Sequence, residues 1–317
     1  MTTSGTASFN LDLNDIVEEA FERAGGELRT GYDLKTARRS LNLLFADWAN
    51  RGVNMWTFEQ NTITLVQGQP TYALRDDTVD LLEHVIRTNA NQGSNQADLT
   101  ITRISVSTYA TLPNKLIQGR PIQVWVQRLT GGESVVAGTV AAGGITAEAT
   151  TIPVTSLEGL PTAGFIKIGS ELIGYNETAP ASGATPAQLF NCTRGQDGTA
   201  AVSHAAGDSI KQVQKQSITV WPTPDASTTY QFVYWRMRRI QDAGAGGTKT
   251  MDVPFRFVPC LVAGLAYYIA LKVPEGMSRL DILKAQYDEA WNTAAQEDQD
   301  RAAVRFVPRQ YFIGGGA

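Results

Sequence analysis

Cysteine and histidine are scarce in this chain of 317 residues, with only two of each: Cys192, Cys260, His84 and His204. Two thiols cannot build a four-thiolate zinc site, two imidazoles cannot make a multi-histidine metal centre, and no disulfide framework can be drawn. Charge is thin as well: Asp, Glu, Lys and Arg together make 18% of the residues, below the ~25% of an ordinary domain. With 43% hydrophobic residues, that composition excludes an intrinsically disordered chain. It also leaves much of the surface uncharged, as burial against other subunits would. The net charge of -4 counts against a general nucleic-acid binder, which is usually strongly basic. The longest apolar run, Phe257 to Leu271, is about 15 residues and holds Pro259, where a membrane span needs ~20. The first residues show no basic-then-apolar leader pattern, so a soluble protein is expected. The length suits one large or two modest domains, enough to bury roughly 75% of the unfolded surface without staples.

What is present begins with helical periodicity at both ends. From Leu11 to Gly26, the residues Ile16, Val17, Ala20, Phe21 and Ala24 make one apolar face, with Asp12 or Asn14 to cap it and Gly25-Gly26 to stop it. A second helix is predicted from about Asp33 to Arg51, with its seam at Leu34, Ala37, Leu41, Leu44, Phe45 and Trp48. The short Gly-containing link between them reads as a helical hairpin. Val258, Leu261, Leu265, Tyr268 and Ile269 mark a third helix, with Pro254 or Pro259 in its first turn or kinking it. Leu280, Leu283, Tyr287, Ala290, Trp291 and Ala294 mark a fourth, with Ser278 and Asp281 as a capping box. One apolar stripe cannot stabilise a helix alone, so the two ends are expected to pack together as a discontinuous four-helix bundle.

Between the ends the period changes to two. Asn61–Val66 and Thr71–Leu74 alternate around Gln67–Pro70 and read as a β-hairpin. Pro121–Arg128, Ser217–Trp221 and Tyr230–Met237 read as further strands, all in one sheet. The stretch from about Thr130 to Gln214 is rich in Gly, Ala and Thr, with strands predicted at Phe165–Ile168 and Glu171–Tyr175, and reads as a small all-β module set in a loop of that sheet. The expected fold is therefore α+β: residues 1–130 with 215–303 as a helical bundle and β core, 131–214 as an inserted β module, and 304–317 as an extended tail carrying Phe306, Tyr311 and Phe312.

The segment order carries a resemblance. A helical hairpin is followed by "TLVQGQPTYAL", then "ISVSTYATLPNKLIQGRPIQVWV", "ITVWPTPDASTTYQFVYW", "DVPFRFVPCLVAGLAYYIALKV" and a last helix. Over residues 11–128 and 216–303 this resembles the head-to-tail adaptors of short-tailed phages, the tail tubular protein A type of connector. The insertion departs from the minimal adaptor pattern. Its phrase "GSELIGY…CTRGQDGTAAVSHAAG" is similar to small β modules of phage virion proteins. The resemblance implies a homo-oligomeric ring of about twelve subunits, placed in the virion between the portal protein and the tail nozzle protein. DNA would pass through its channel without sequence recognition. It also implies that the bundle and the tail meet the portal or neighbouring subunits.

No catalytic, cofactor-binding or metal-binding residue is expected. Ser203, His204 and Asp208 lie too close in sequence for a hydrolase triad, and His204 is expected to bond a turn backbone. Arg194–Gly198 lacks the Lys-Ser or Lys-Thr of a P-loop and the spaced carboxylates of an EF-hand, and reads as a tight turn. Two basic clusters stand out, Lys35/Arg38/Arg39 and Arg236/Arg238/Arg239. For both, a solvated face or pairing with Asp288, Glu289, Glu297 and Asp298 of the last helix is expected ahead of contact with an acidic partner surface or channel DNA. The interface candidates are Arg38, Arg39, Trp48, Phe306, Tyr311 and Phe312. Trp56, Phe58, Trp221 and Trp235 read as core packing. Two rival readings remain: a host- or carbohydrate-binding module that uses Tyr175 and Phe190 of the insertion, and a hydrolase that uses Glu171 and Glu177.

Overall fold

The computed structural model describes residues 11–28, 31–52, 55–129, 132–244 and 250–298. The chain has both helices and sheets, an α+β fold, and divides into two units: Met1–Thr57 with Ile240–Ala317, and Phe58–Arg239.

The first unit is helical. Helix α1 (Leu13–Ala24) opens with a capping box: the Asp12 carboxylate accepts from the Asp15 N–H at 3.0 Å, and the Asp15 carboxylate accepts from the Asp12 N–H at 3.4 Å. This satisfies two donors that the first turn leaves open. Gly25, at φ 89°, ends the helix, and its N–H and that of Gly26 return to the Glu22 and Phe21 carbonyls. Helix α2 (Gly31–Arg51) buries Ala37, Leu41, Leu44, Phe45 and Trp48, as its spacing predicts. A short helix, α3 (Val106–Thr111), belongs to the other unit.

Helix α4 (Val258–Ala270) holds Pro259 in its first turn, where a missing N–H costs nothing. It is the central helix, packed against α1, α2 and α5 (Leu280–Glu297). The expected direct pairing of α1 with α2 is slight, because α1 lies chiefly on α4. Close approach to α4 depends on Gly264: a Cβ there would stand 2.8 Å from Tyr287 Cε2 and 3.0 Å from Leu44 Cδ2. The capping box expected from Ser278 and Asp281 is not formed. A 3-10 segment (Pro274–Arg279) runs straight into α5 and leaves no free start to cap. Residues from both chain ends share one core, with Leu13, Ile16 and Phe21 beside Phe257, Leu265 and Tyr287.

The second unit corrects the prediction of a single sheet. Strands β1 (Phe58–Thr64), β15 (Gln231–Arg238), β3 (Thr78–Thr88) and β4 (Ala97–Thr100) form one antiparallel sheet in that order. Strands β2 (Thr71–Ala73), β14 (Ser217–Trp221), β6 (Gln123–Gln127) and β5 (Thr102–Ile104) form another, whose last pair is parallel. The two share a core that includes Leu81, Ile86, Val124, Ile218 and Phe232.

The predicted hairpin of β1 with β2 is therefore not a hairpin. The Tyr72 hydroxyl, buried, accepts from the Val66 N–H at 2.8 Å and lies within bonding distance of the Val66 and Gln69 carbonyls. These turn groups bond a side chain instead of a facing strand, and the chain crosses from one sheet to the other. β3, the longest strand, escaped the sequence reading. Its partner β15 shifts register at Trp235/Arg236 and Met237/Arg238, and such irregularities blur an alternating pattern.

Residues 133–213 carry seven more strands. β10 (Glu171–Tyr175), β9 (Gly164–Ile168), β13 (Ser209–Val213) and β7 (Glu133–Thr139) make one sheet, and β11 (Glu177–Ala179), β12 (Ala187–Phe190) and β8 (Ile152–Val154) another. The predicted strands at 165–168 and 171–175 form an antiparallel pair, Ile168 facing Glu171. Their core, with Ile152, Ile166, Ile173 and Leu189, is separate from that of β1–β6 with β14 and β15. A small cluster of Ala73, Phe165, Leu172 and Val213 lies between the two.

Candidate functional site

Three charge networks are built around nearly or fully buried ionised side chains, Glu171, Arg236 and Lys215. The most buried network centres on Glu171. Its side chain has no exposed surface, although it points from a strand whose other buried residues are apolar. Both Glu171 oxygens accept from Arg194, at 2.8 Å each, and further N–H groups come from Gly195 at 3.1 Å and Val202 at 3.2 Å. His204 Nε2 lies 2.8 Å from Glu171 Oε2 and donates to it, since a carboxylate only accepts. Burial raises the Glu171 pKa, but these donors outweigh burial and hold it at about 2. The expectation that His204 bonds a turn backbone through its side chain is thus corrected: the ring serves the carboxylate. Every oxygen of Glu171 is occupied, so it is no free base, and Glu177, the second acid offered for a hydrolase, is exposed on the separate strand β11.

The second network is Arg236, whose side chain is also fully buried. Its Nη2 meets Glu59 at 2.8 Å and Asp77 at 3.1 Å, its Nη1 meets Asp77 and donates to Thr78 at 2.9 Å, and Arg238 Nε adds 2.7 Å to Glu59. Burial pulls the Glu59 and Asp77 carboxyls up, and the guanidinia hold both below their usual range. The predicted pairing of this cluster with acids of the last helix is corrected: its partners are strand and loop residues of its own sheet, where β1 and β15 run side by side. In the third network, Lys215, with a side chain 4% exposed, lies 2.5 Å from both Asp76 and Asp197. It ties the 195–198 turn to the β2–β3 loop. A cleft of 710 Å³ beside it is lined by Arg75, Asp76, Asp77, Gln196, Asp197 and Tyr234. Its three carboxylates are all paired with cations.

Burial pushes the Cys192 and Cys260 thiols up to about 12, which removes the thiolate that nucleophilic chemistry needs. Among the described residues, no group of three or more His, Cys, Asp or Glu could hold a metal. No described helix is long and apolar enough to cross a membrane. Tyr175 is 1% exposed and its hydroxyl donates to the Pro161 carbonyl at 2.9 Å, so it offers no stacking face to a sugar.

The interface candidates divide. Trp48 is fully buried: its ring lies 5.5 Å from Phe257 and 5.4 Å from Trp291, and its Nε1 donates to the Tyr287 hydroxyl at 2.9 Å. It is a core residue of the helical unit and cannot also be a surface anchor. Arg38 is half-buried and reaches the Gly244 carbonyl at 3.5 Å. Arg39 is exposed and donates to Thr36 Oγ1 at 3.3 Å. Phe306, Tyr311 and Phe312 lie outside the described residues. Trp56 packs 4.8 Å from Phe257 and donates to the Asp252 carbonyl, as core packing predicts.

His84, on β3, is a half-buried residue with both ring nitrogens shielded from solvent, and sequence reasoning left it unassigned. Neither ring nitrogen makes a hydrogen bond of good geometry, and the ring stacks 5.9 Å from Phe232. Burial, then the Arg103 charge, lowers its pKa below 6.5, and Glu83 and the Ile101 backbone oppose this only in part. The unfolded chain then takes up the proton first. The stability that the neutral ring contributes is complete above pH 6.5 and falls away as pH drops below it. Urea unfolding at a series of pH values should show this slope in wild type, and His84→Phe should remove it. An unchanged slope would show that the ring is not its source.

No protein-family model matches this chain, and no curated protein matches it.

Proposed function

We propose that the chain is a virion structural protein, a head-to-tail adaptor whose copies form a ring of about twelve between portal and tail nozzle around the DNA channel. The order of segments supports this reading, as does the finer architecture expected of the family: a discontinuous helical bundle drawn from both chain ends, a β core, and an inserted β module. The observation that carries most weight is the outer surface of the helical unit. Tyr32 is 70% exposed, Leu43 59%, Met277 61% and Ile282 63%. Large apolar side chains left on helices whose inner faces are already filled favour contact with further protein. The function is mechanical and requires no reaction. DNA passes without sequence recognition, in keeping with the net charge of -4.

The host- or carbohydrate-binding alternative draws less support, because the Tyr175 ring it needs is buried. Quantitative mass spectrometry of purified source particles tests the adaptor reading. About a dozen copies per particle is the expected result, and absence of the chain from particles would end the reading.

A further inference from the structure

The outer side of α2 carries a charge excess that no described carboxylate of its own unit answers. Tyr32, Lys35, Arg39 and Leu43 follow one another along this side, away from the buried stripe of Ala37, Leu41, Leu44 and Trp48. Lys35 and Arg39 are four residues apart, a like-charge spacing that destabilises an isolated helix. Lys272, just past α4, adds a third cation: its Nζ donates to Ser40 Oγ at 2.7 Å, and burial and then the Arg39 charge depress its pKa. Among the described residues no carboxylate pairs with Lys35, Arg39 or Lys272.

The opposite excess lies on α1. Glu18 and Glu22 are exposed, again four residues apart, and make no ion pair among the described residues, whereas neighbouring Glu19 is bound by Arg23 at 2.7 Å. They border a groove of 680 Å³ whose apolar lining is Leu11, just before α1, with Val258, Pro259 and Val262 of α4, and whose one lining cation, Arg23, is already held by Glu19.

We propose that α2 of one copy seats in the α1–α4 groove of a second copy. Lys35 and Arg39 meet Glu18 and Glu22, two pairs of matching helical pitch, while Tyr32 and Leu43 cover the apolar lining. Each helix thereby relieves the other's like-charge repulsion. The two surfaces differ, so the contact is head-to-tail and propagates from copy to copy, closing where the rotation allows. Duplex DNA would answer the cations alone. It would leave the acidic groove unmatched and offer nothing to Tyr32 and Leu43, so protein is the better occupant. The contact rests on the adaptor reading for its place in a ring.

The test is sedimentation of the full chain over a range of concentrations, with circular dichroism to verify folding. Lys35→Glu with Arg39→Glu should weaken self-association by at least about tenfold, and so should Glu18→Lys with Glu22→Lys. Mixing the two variants should restore association, because each then presents the charge that the other lost, and a chain carrying all four changes should associate by itself. Leu43→Asp, which leaves the charge pairs in place, should also weaken association. The proposal is overturned if wild type stays monomeric throughout, or if the reversals leave association unchanged. It is equally overturned if wild type binds duplex DNA through Lys35 and Arg39 without associating. Charge-insensitive association of a chain found at about a dozen copies per particle would remove this contact and leave the adaptor reading. Charge-swappable association of a chain absent from particles would do the reverse.

Discussion

Replacing Glu171 with alanine is expected to cost about 3–5 kcal/mol, the usual penalty for breaking a buried ion pair from one side. The cost lies in what remains. Arg194 keeps its charge with a side chain 7% exposed, and the N–H groups of Gly195 and Val202 and His204 Nε2 lose their acceptor. Against a typical domain stability of ~5–15 kcal/mol, that is enough to cost residues 133–213 their cooperative structure. Hydrogen exchange should show lost protection across β9, β10 and β13, and the urea midpoint should fall. Wild-type protection in the alanine variant would show that the network carries little. The same group sets an acid limit. Its pKa is about 2 folded against 4.5 for a free Glu, so its contribution is complete above pH 4.5 and is lost as pH falls toward 2. Glu171→Gln should remove that acid dependence.

The helical unit has its own point of greatest sensitivity. Trp48→Ala should destabilise it by about 3–5 kcal/mol through the cavity left among Phe45, Phe257 and Trp291. The Tyr287 hydroxyl also loses its buried donor, and an orphaned polar group adds about 1–3 kcal/mol. Trp48→Phe restores much of the volume but not the donor, and should fall between. Loss of far-UV helical signal at lower denaturant, in the order alanine, phenylalanine, wild type, is the expected reading. Equal midpoints would show that the site collapses around the smaller residue without penalty.

Trp48 also shows where reading the sequence stops. Its place on the seam of α2 was legible, because helical spacing marks it with Leu41, Leu44 and Phe45. From sequence the same residue also reads as an interface anchor, which its burial overturns. Helix α2 has two sides that carry large side chains, and one sequence does not say which side a partner helix from the far end of the chain will cover. The Arg236 cluster failed similarly. Its basic character is plain, but its partners Glu59 and Asp77 lie 177 and 159 residues away in sequence and meet it only because β15 runs between β1 and β3. Glu171, which the sequence groups with Glu177, and His204, which it assigns to a turn, join because β10 folds against the 195–204 loop.

What local chemistry decides can be read along the chain. The sequence places the four long helices, offers Asp12 or Asn14 as a first cap and Gly25-Gly26 as a stop, and marks the strands at 165–168 and 171–175. Each follows from periodicity or from the conformational limits of one or two residues. The choice of Asp12 over Asn14, and of Pro259 over Pro254 for the first turn of α4, came with the folded chain. Only the tertiary structure decided which strands pair, that β1 and β2 part into different sheets at the Tyr72 hydroxyl, and which carboxylate each buried cation receives. Those outcomes depend on desolvation and long-range contact: a buried charge takes whatever partner the packing brings within 3 Å or so, and that partner is set by the path of the whole chain.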